Sequence, residues 1–290
     1  MRLGTRGSAL ALAQAGAVAE ALPGEVSVVE VRTGGDAGAP VGDKSRWVDG
    51  LERALLQGEI DLAVHSAKDV PAELADGLEL LGVPAREDPR DALVGAPSLA
   101  ALPPGARVGT TSLRRRAALL AARADLEVVD LRGNVDTRLR KLAAGEADAL
   151  VLALAGLRRL GRADEASAIL DPDTMLPAAG QGALALEGRA DDGDAYAAAA
   201  SISDLDATVC VIAERALTAA LDATCHTPVA ALATVDGDAL TLRAFAALPD
   251  GSEWVRDELT GAADDPEAVG RAVAERLRSV GAAELLARAA

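Results

Sequence analysis

Residues 107–120, RVGTTSLRRRAALL, carry the pattern that decides the fold. A short apolar segment, 107–109, ends in the polar run Thr110-Thr111-Ser112, and a helical stretch follows over 113–124. A strand that passes through a short polar turn into a helix is the repeating unit of α/β proteins. The stretch therefore predicts one βα unit, and the fold depends on how often the unit recurs.

The same alternation runs through the first two thirds of the chain. The other apolar strand or helical segments are 2–5, 9–22, 26–32, 48–56, 60–64, 128–131, 135–144 and 149–153. This alternation of strands and helices predicts α/β units with mostly parallel sheets. After Ser203 a helix over 204–221, a strand over 239–248 and a final helix from Pro266 predict a small α+β domain.

The charge of the chain limits its partners. The 290 residues include 29 Lys and Arg against 45 Asp and Glu, which gives a net charge of −16. Nucleic acid is an unfavourable partner, because phosphate binding needs a basic field and stacking needs more than two Trp, one Tyr and one Phe. Lysine occurs only at 44, 68 and 141, and this scarcity of lysine beside many acidic residues is typical of proteins from salt-rich cytoplasm. At ~1 M salt the electrostatic screening length is about 3 Å, so distant charges are screened while charge pairs in direct contact still attract each other.

The sequence also limits location and metal content. No apolar run has the length of a membrane span, and the start MRLGTRGSAL lacks the pattern of a signal peptide, so we expect a soluble cytoplasmic protein. Cys210 and Cys225 form no CxxC pair, and the chain has two histidines, so we expect no metal site. A disulfide is unfavourable in a reducing cytoplasm.

Three helix starts share one design. Polar residues between a strand and a helix stand beside arginine at 5–8 (TRGS), at 110–116 (TTSLRRR) and at 132–138 (RGNVDTR). A helix N-terminus carries partial positive charge, which repels an arginine placed beside it. Arginine at that position is favourable when an external anion lies between the helix N-terminus and the guanidinium group. Carboxylates suit the fork of a guanidinium. The alternative for each single arginine is a solvated helix face.

The segment 61–71, DLAVHSAKDVP, places polar residues at the carboxyl end of a predicted strand, where ligands bind in open α/β sheets. Lys68 suits an anion, Ser66 can donate a hydrogen bond, and a partly enclosed Asp69 can protonate a leaving group or stabilise a developing cation. His65 is interpreted as a structural residue. The alternative for the whole segment is a solvated polar turn.

The two cysteines receive different interpretations. Cys225 lies in 221–229, LDATCHTPV, a predicted loop after a helix, where an accessible thiol can carry a covalent group. The alternative is a half-buried residue with no chemical role. Cys210 falls within the predicted helix, where packing is its expected role.

Seven segments in order extend these observations to a family: TRGSALALAQA, DLAVHSAKDVP, REDPRDALV, GTTSLRRR, LRGNVDTRLRKL, LALAGLRRLG and LPAAGQGALALE. Over nearly the whole chain they resemble the hydroxymethylbilane synthase family, also called porphobilinogen deaminases. The resemblance implies an enzyme that joins four porphobilinogen molecules into the linear tetrapyrrole hydroxymethylbilane with release of ammonia. We expect this enzyme to be a monomer. The resemblance also implies two periplasmic-binding-protein-like α/β domains around a cleft plus a small α+β C-terminal domain. With breaks at 85–91 and 171–177, we expect domain 1 at 1–85 with 177–200, domain 2 at 86–176 and domain 3 at 201–290.

The resemblance also assigns roles. It implies a dipyrromethane cofactor attached covalently through Cys225, with Asp69 as the catalytic acid. Cofactor-binding residues would be Lys68, Ser112, Arg114, Arg115 and Arg138, and substrate-binding residues would be Arg6, Ser8, Arg132, Arg159 and Gln181. These would hold the carboxylates of the cofactor and the growing chain. The residues around Cys225 depart from the family pattern, because Ala223, Thr224 and Ala230 stand where glycines are usual. A carboxylate-binding protein that lost activity is therefore the rival hypothesis.

Overall fold

The computed structural model describes residues 1–33, 48–224 and 226–289. Its elements in chain order are β1 (Arg2–Thr5), α1 (Ala9–Ala21), β2 (Ser27–Glu30), α2 (Asp49–Leu56), β3 (Leu62–Ser66), β4 (Leu78–Gly82), β5 (Asp91–Val94), β6 (Arg107–Gly109), α3 (Leu113–Ala122), β7 (Glu127–Val129), α4 (Val135–Ala143), β8 (Ala149–Ala153), α5 (Leu154–Arg159), β9 (Ala168–Ile169), β10 (Leu184–Arg189), α6 (Gly193–Ser201), α7 (Leu205–Ala220), β11 (Val229–Asp236), β12 (Ala239–Ala247), β13 (Trp254–Ala262), α8 (Pro266–Ser279) and α9 (Ala282–Ala289). Single 3-10 turns occur at Ala67–Asp69 and Ala163–Glu165.

The chain divides into two compact units. The first comprises Met1–Glu87 and Ala183–Val211, and the second comprises Asp88–Gly182 and Ile212–Ala290. The chain therefore leaves the first unit after Glu87, returns at Ala183 to complete the sheet of the first unit, and leaves it again after Val211 to complete the second unit.

The first unit is built on a five-stranded sheet of order β2-β1-β3-β10-β4. Strands β1, β2 and β3 are parallel, while β10 is antiparallel to both β3 and β4. Helix α1 covers one face, where Leu3, Leu62 and Leu186 are fully buried. Helix α2 covers the other, where Leu51 and Ile60 are fully buried.

The second unit repeats this plan in a sheet of order β7-β6-β8-β5-β9. Strands β6, β7 and β8 are parallel, and β5 is antiparallel to β8 and β9. The prediction of α/β units with mostly parallel sheets is confirmed, because four strands of each sheet run in one direction and one strand, β10 or β5, runs in the opposite direction. The antiparallel strand of each sheet, β10 or β5, comes soon after the chain passes from one unit to the other.

A third sheet, antiparallel with order β11-β12-β13, completes the second unit together with α8 and α9. The predicted small α+β region is therefore confirmed, although β11 and β13 were not predicted. The turn between β12 and β13 packs closely on α3. A Cβ at Gly251, whose φ is +71°, would lie 2.4 Å from the backbone nitrogen of Ala121, so this contact requires glycine.

Two features of the described residues concern membrane spans and metal ligands. No helix among them has the length and apolar character needed to cross a bilayer. No group of three or more His, Cys, Asp or Glu side chains in the same residues is arranged to hold a metal ion.

Candidate active site

The segment after β3 is held in a fixed position. β3 is buried along its length, and the chain then forms the 3-10 turn Ala67–Asp69. The Ala67 amide donates to the Ala183 carbonyl at 3.0 Å, which ties the turn to the chain just before β10. Lys68 and Asp69 are consequently half-buried side chains at the carboxyl end of a buried strand.

A small pocket of about 70 Å³ lies beside this turn in the first unit. Its lining residues are Arg6, Ser8, Leu10, Ala11, Gln14, Val48, Val64, His65, Ser66 and Asp69. Ser8 also caps α1, where its hydroxyl accepts from the Ala11 amide at 3.2 Å. The structure thus brings Arg6, Ser8 and Asp69, which were predicted from separate segments, to one pocket.

Gln14 was missed by the sequence analysis. Its Nε2 donates to Ser66 Oγ at 2.9 Å, and Ser66 Oγ lies 3.3 Å from Gln14 Oε1. The side chain is buried, so α1 fixes the hydroxyl that precedes the turn carrying Asp69. The available signal was a single amide in the first half of the apolar helix sequence ALALAQAGAVAEA.

A buried pair lies behind the pocket. His65 Nε2 is 2.8 Å from Glu187 Oε2, and both side chains are almost fully buried. The other carboxylate oxygen of Glu187, Oε1, is buried without a hydrogen-bond partner in the described part of the chain. Burial, together with the nearby Glu187 charge, raises the pKa of Glu52 on α2. The structural interpretation of His65 agrees with this position.

The arginines at the start of α3 point into the second unit. Ser112 caps the helix and its Oγ accepts from the Arg115 amide at 3.4 Å. Arg114 and Arg115 follow and are only 4 % and 6 % exposed, respectively. The alternative of a solvated helix face is therefore wrong for these two residues.

Asp91, the first residue of β5, lies between the two guanidinium groups. Its Oδ2 accepts from Arg114 Nη2 at 2.9 Å, and its Oδ1 accepts from Arg115 Nη2 at 2.8 Å and Nε at 3.2 Å. Burial alone would raise the pKa of Asp91, but the charges of both arginines outweigh it and lower the pKa to about 2. The carboxylate is therefore ionised and balances one of the two arginine charges.

Arg138 adds a third cation, which is half-buried. It lies on α4, which Asn134 caps by accepting from the Thr137 amide at 2.9 Å. Burial and the charge of Arg115 lower the pKa of Arg138 from 12.5 to about 10. Its Nε is buried with no hydrogen-bond partner among the described residues. The group retains a donor and a charge that an anion would satisfy.

The remaining predicted residues of this unit differ in exposure. Arg132 is exposed, whereas Arg159 is half-buried and donates from Nη2 to the Gly182 carbonyl at 2.7 Å. Gln181 is 1 % exposed and donates from Nε2 to the Pro89 carbonyl at 2.6 Å and to Asp91 Oδ1 at 2.9 Å. Its contacts place it with Asp91 inside the unit.

Cys225 lies outside the described residues, but the chain on each side of it is described. Helix α7 ends at Ala220, and Asp222 follows with a φ of 51°, in the left-handed region in which helices commonly end. The Thr224 amide donates to Thr227 Oγ1 at 2.9 Å. Cys210 is buried on α7, as its packing role predicts.

A larger cavity, of about 340 Å³, lies in the second unit against β12 and β13. Arg243 and Arg256 line it, but Arg243 pairs with Asp173 and Glu258, and Arg256 donates to the Asp173 carbonyl at 2.6 Å. Its charges are thus largely matched within the protein, unlike those around Arg138.

The fold and these residues define a class of protein. It is an α/β protein with two sheets of the same strand order, which carries a half-buried acid in the pocket of one unit and a buried arginine cluster in the other. Excess buried positive charge suits a ligand with several carboxylates, and an acid beside a polar pocket suits proton transfer.

Comparison with known families identifies the chain further. Residues 1–197 match the family model described as porphobilinogen deaminase, dipyromethane cofactor binding domain, and residues 208–279 match the porphobilinogen deaminase C-terminal domain. The chain belongs to the porphobilinogen deaminase family. The family resemblance found in the sequence is thus confirmed.

Curated relatives match over nearly the whole chain. The porphobilinogen deaminase of Roseiflexus sp. (strain RS-1) is 48 % identical over 297 residues, which cover 98 % of this chain and 98 % of that protein. The porphobilinogen deaminase of Sorangium cellulosum (strain So ce56) is 52 % identical over 270 residues, covering 89 % and 90 %, respectively.

Solved structures give more distant matches. A putative methionine-binding lipoprotein from Bacillus subtilis subsp. subtilis str. 168 matches with a TM-score of 0.43 and 13 % identity, covering 70 % of this chain and 89 % of that one. A periplasmic substrate-binding protein of an ABC transporter from Coxiella burnetii matches with a TM-score of 0.42 and 14 % identity, covering 70 % and 91 %.

Proposed function

We propose that this protein is a hydroxymethylbilane synthase, a transferase that deaminates four porphobilinogen molecules and joins them head to tail into hydroxymethylbilane. The observation that carries the proposal is the 48 % identity to a porphobilinogen deaminase over 98 % of the chain. The half-buried acid and the buried arginines support this proposal, because each porphobilinogen carries two carboxylates and loses ammonia in the reaction.

The residues of the second unit fit a dipyrromethane cofactor. The buried Nε of Arg138 lacks a hydrogen-bond partner in the described part of the chain, and two buried arginines, Arg114 and Arg115, share a single fully buried carboxylate. Carboxylates are the ligands that such donors bind most strongly. Ser112, Arg114, Arg115 and Arg138, with Lys68, would hold the cofactor, and Cys225 would attach it. When bound, the cofactor supplies the pyrrole end from which the product chain grows.

Asp69 is proposed as the catalytic acid. In its pocket the carboxyl group would deliver a proton to the departing amine of porphobilinogen, and the carboxylate would then stabilise the positive pyrrole nitrogen that results. The same carboxylate would later help remove the surplus proton from the coupled ring. Gln14 supports this role indirectly, because it fixes Ser66 at the start of the turn.

The substrate-binding assignments are also proposals. Arg6 and Ser8 would bind substrate carboxylates at the pocket that contains Asp69, and Arg132 and Arg159 would bind them in the second unit. Gln181 belongs to the same proposed set, although its buried contacts with Asp91 and Pro89 support an indirect contribution.

Several broader properties are proposed with this function. The division into domains 1–85 with 177–200, 86–176 and 201–290 follows the family pattern. The net charge of −16 and the scarcity of lysine support a protein adapted to high salt. A cytoplasmic monomer without nucleic-acid or membrane partners agrees with the same composition.

The test combines the intact mass of the purified protein with peptide mapping around Cys225. We expect an adduct of two linked pyrrole units on that peptide, and conversion of porphobilinogen to a linear tetrapyrrole with release of ammonia. A chain that binds porphobilinogen in high salt but keeps an unmodified thiol and releases no ammonia would instead be the carboxylate-binding protein.

A further inference from the structure

Asp91 has an environment that its sequence position did not indicate. It is 0 % exposed, and its two oxygens accept four hydrogen bonds: one from Arg114, two from Arg115 and one from Gln181. A buried carboxylate is costly unless its charge and its oxygens are matched in this way. The site is thus a built network in which one acid organises two arginines.

The network orients each guanidinium group separately. Arg115 bonds Asp91 through Nε and Nη2 and the Val151 carbonyl through Nη1 at 3.1 Å. Arg114 bonds Asp91 through Nη2 and the Leu176 carbonyl through Nη1 at 2.6 Å. Because a guanidinium is planar, two fixed nitrogens fix the direction of its remaining N–H groups.

The carboxylate does not cancel the charge of the cluster. Arg114 and Arg115 carry two positive charges against one on Asp91, and Arg138 contributes a third that Arg115 repels. The buried Nε of Arg114, like that of Arg138, has no hydrogen-bond partner within the described ranges. Asp91 therefore reduces the repulsion while it leaves a net positive site for carboxylates.

We propose that Asp91 is a positioning residue, which holds Arg114 and Arg115 in the orientation required to bind the carboxylates of the pyrrole chain. Gln181 supports Asp91 from the segment that leads back to β10, because its Nε2 bonds both the carboxylate and the Pro89 carbonyl. The inference rests on the proposed function, and it assigns to Asp91 no contact with substrate.

The test is the variant Asp91→Asn in the full-length protein, which removes the negative charge of the side chain and keeps its shape. The matched control is Asp148→Asn, which breaks an arginine–aspartate pair with Arg107 at the surface of the same unit. Three quantities are measured: the fraction of chains that carry the two-pyrrole adduct, KM and kcat for porphobilinogen, and the exchange rate of the arginine Nε protons by ¹⁵N NMR.

Asp91→Asn is expected to lower the adduct fraction or raise KM by about tenfold or more, the effect of one lost charge-assisted hydrogen bond. It should also accelerate exchange of the Arg115 Nε proton, while Asp148→Asn matches the wild type. If Asp91→Asn does not fold, Gln181→Met keeps every charge and should produce the same changes in smaller degree.

A folded Asp91→Asn or Gln181→Met with wild-type adduct and KM would overturn the inference, even with a lowered Tm, because that result makes the network purely structural. A different result tests the proposed function. If the wild-type chain carries no adduct and releases no ammonia, the proposed function fails together with the inference that depends on it.

Discussion

His65 Nε2 lies 2.8 Å from Glu187 Oε2, and the pair joins two adjacent strands of the first sheet directly behind the turn that carries Asp69. Glu187 is fully buried, and its Oε1 has no partner in the described residues. Removal of one member of such a pair leaves an uncompensated polar group, which typically costs about 3–5 kcal/mol.

His65→Leu should therefore lower the free energy of unfolding by about 3 kcal/mol or more at neutral pH, as measured by chemical denaturation. The double variant His65→Leu/Glu187→Leu should recover much of the loss. If the double variant is no more stable than the single one, packing and not charge explains the effect.

Asp69→Asn should reduce the rate of hydroxymethylbilane formation by at least about 100-fold, since general acid–base catalysis contributes about 10²–10⁴. The half-buried side chain accepts this change without loss of volume, so Tm should stay within a few degrees of the wild type. Asp76→Asn, on an exposed position of the same unit, serves as the control. Equal rates for the two variants would remove Asp69 from the proposed mechanism.

Arg138→Gln should stabilise the cofactor-free chain while it weakens carboxylate binding. Burial and the charge of Arg115 lower the pKa of Arg138 from 12.5 to about 10. This shift means that the charged form of Arg138 destabilises the folded state by roughly 3 kcal/mol. Because this base has the lower pKa in the folded state, stability should rise as the pH increases from about 10 towards 12.5 in the wild type only.

Thermal unfolding of the cofactor-free proteins, followed by KM for porphobilinogen, checks this trade-off. Arg140→Gln provides the control on the same helix, because Arg140 is exposed and bonds only Thr137 in the described structure. A destabilised Arg138→Gln with unchanged KM would show that Arg138 is a packing residue.

Salt should increase both Tm and activity from dilute buffer to molar concentrations. The net charge of −16 produces self-repulsion that added ions screen, whereas the Arg114–Asp91 and Arg115–Asp91 contacts are buried and are screened much less. A salt series with uncharged osmolyte controls measures the effect. An optimum in dilute buffer would contradict the proposed adaptation to high salt.

The sequence by itself determined the α/β class, the small α+β region and the family. Local patterns sufficed because strand and helix periods, the capping residues Ser8, Ser112 and Asn134, and the family segments all lie within short stretches. The same patterns placed Asp69 at the carboxyl end of β3. The antiparallel strands β5 and β10 were not predicted, because they join their sheets through contacts distant in sequence.

Only the tertiary structure decided which polar residues act together. Asp91 stood in the predicted break at 85–91, and its role as partner of Arg114 and Arg115 depends on residues 23 and 24 positions away. Gln14 and Ser66 are 52 positions apart, and His65 and Glu187 are 122 apart. Whether a charge is exposed or buried depends on the elements packed over it, and burial determines its pKa and its need for a partner.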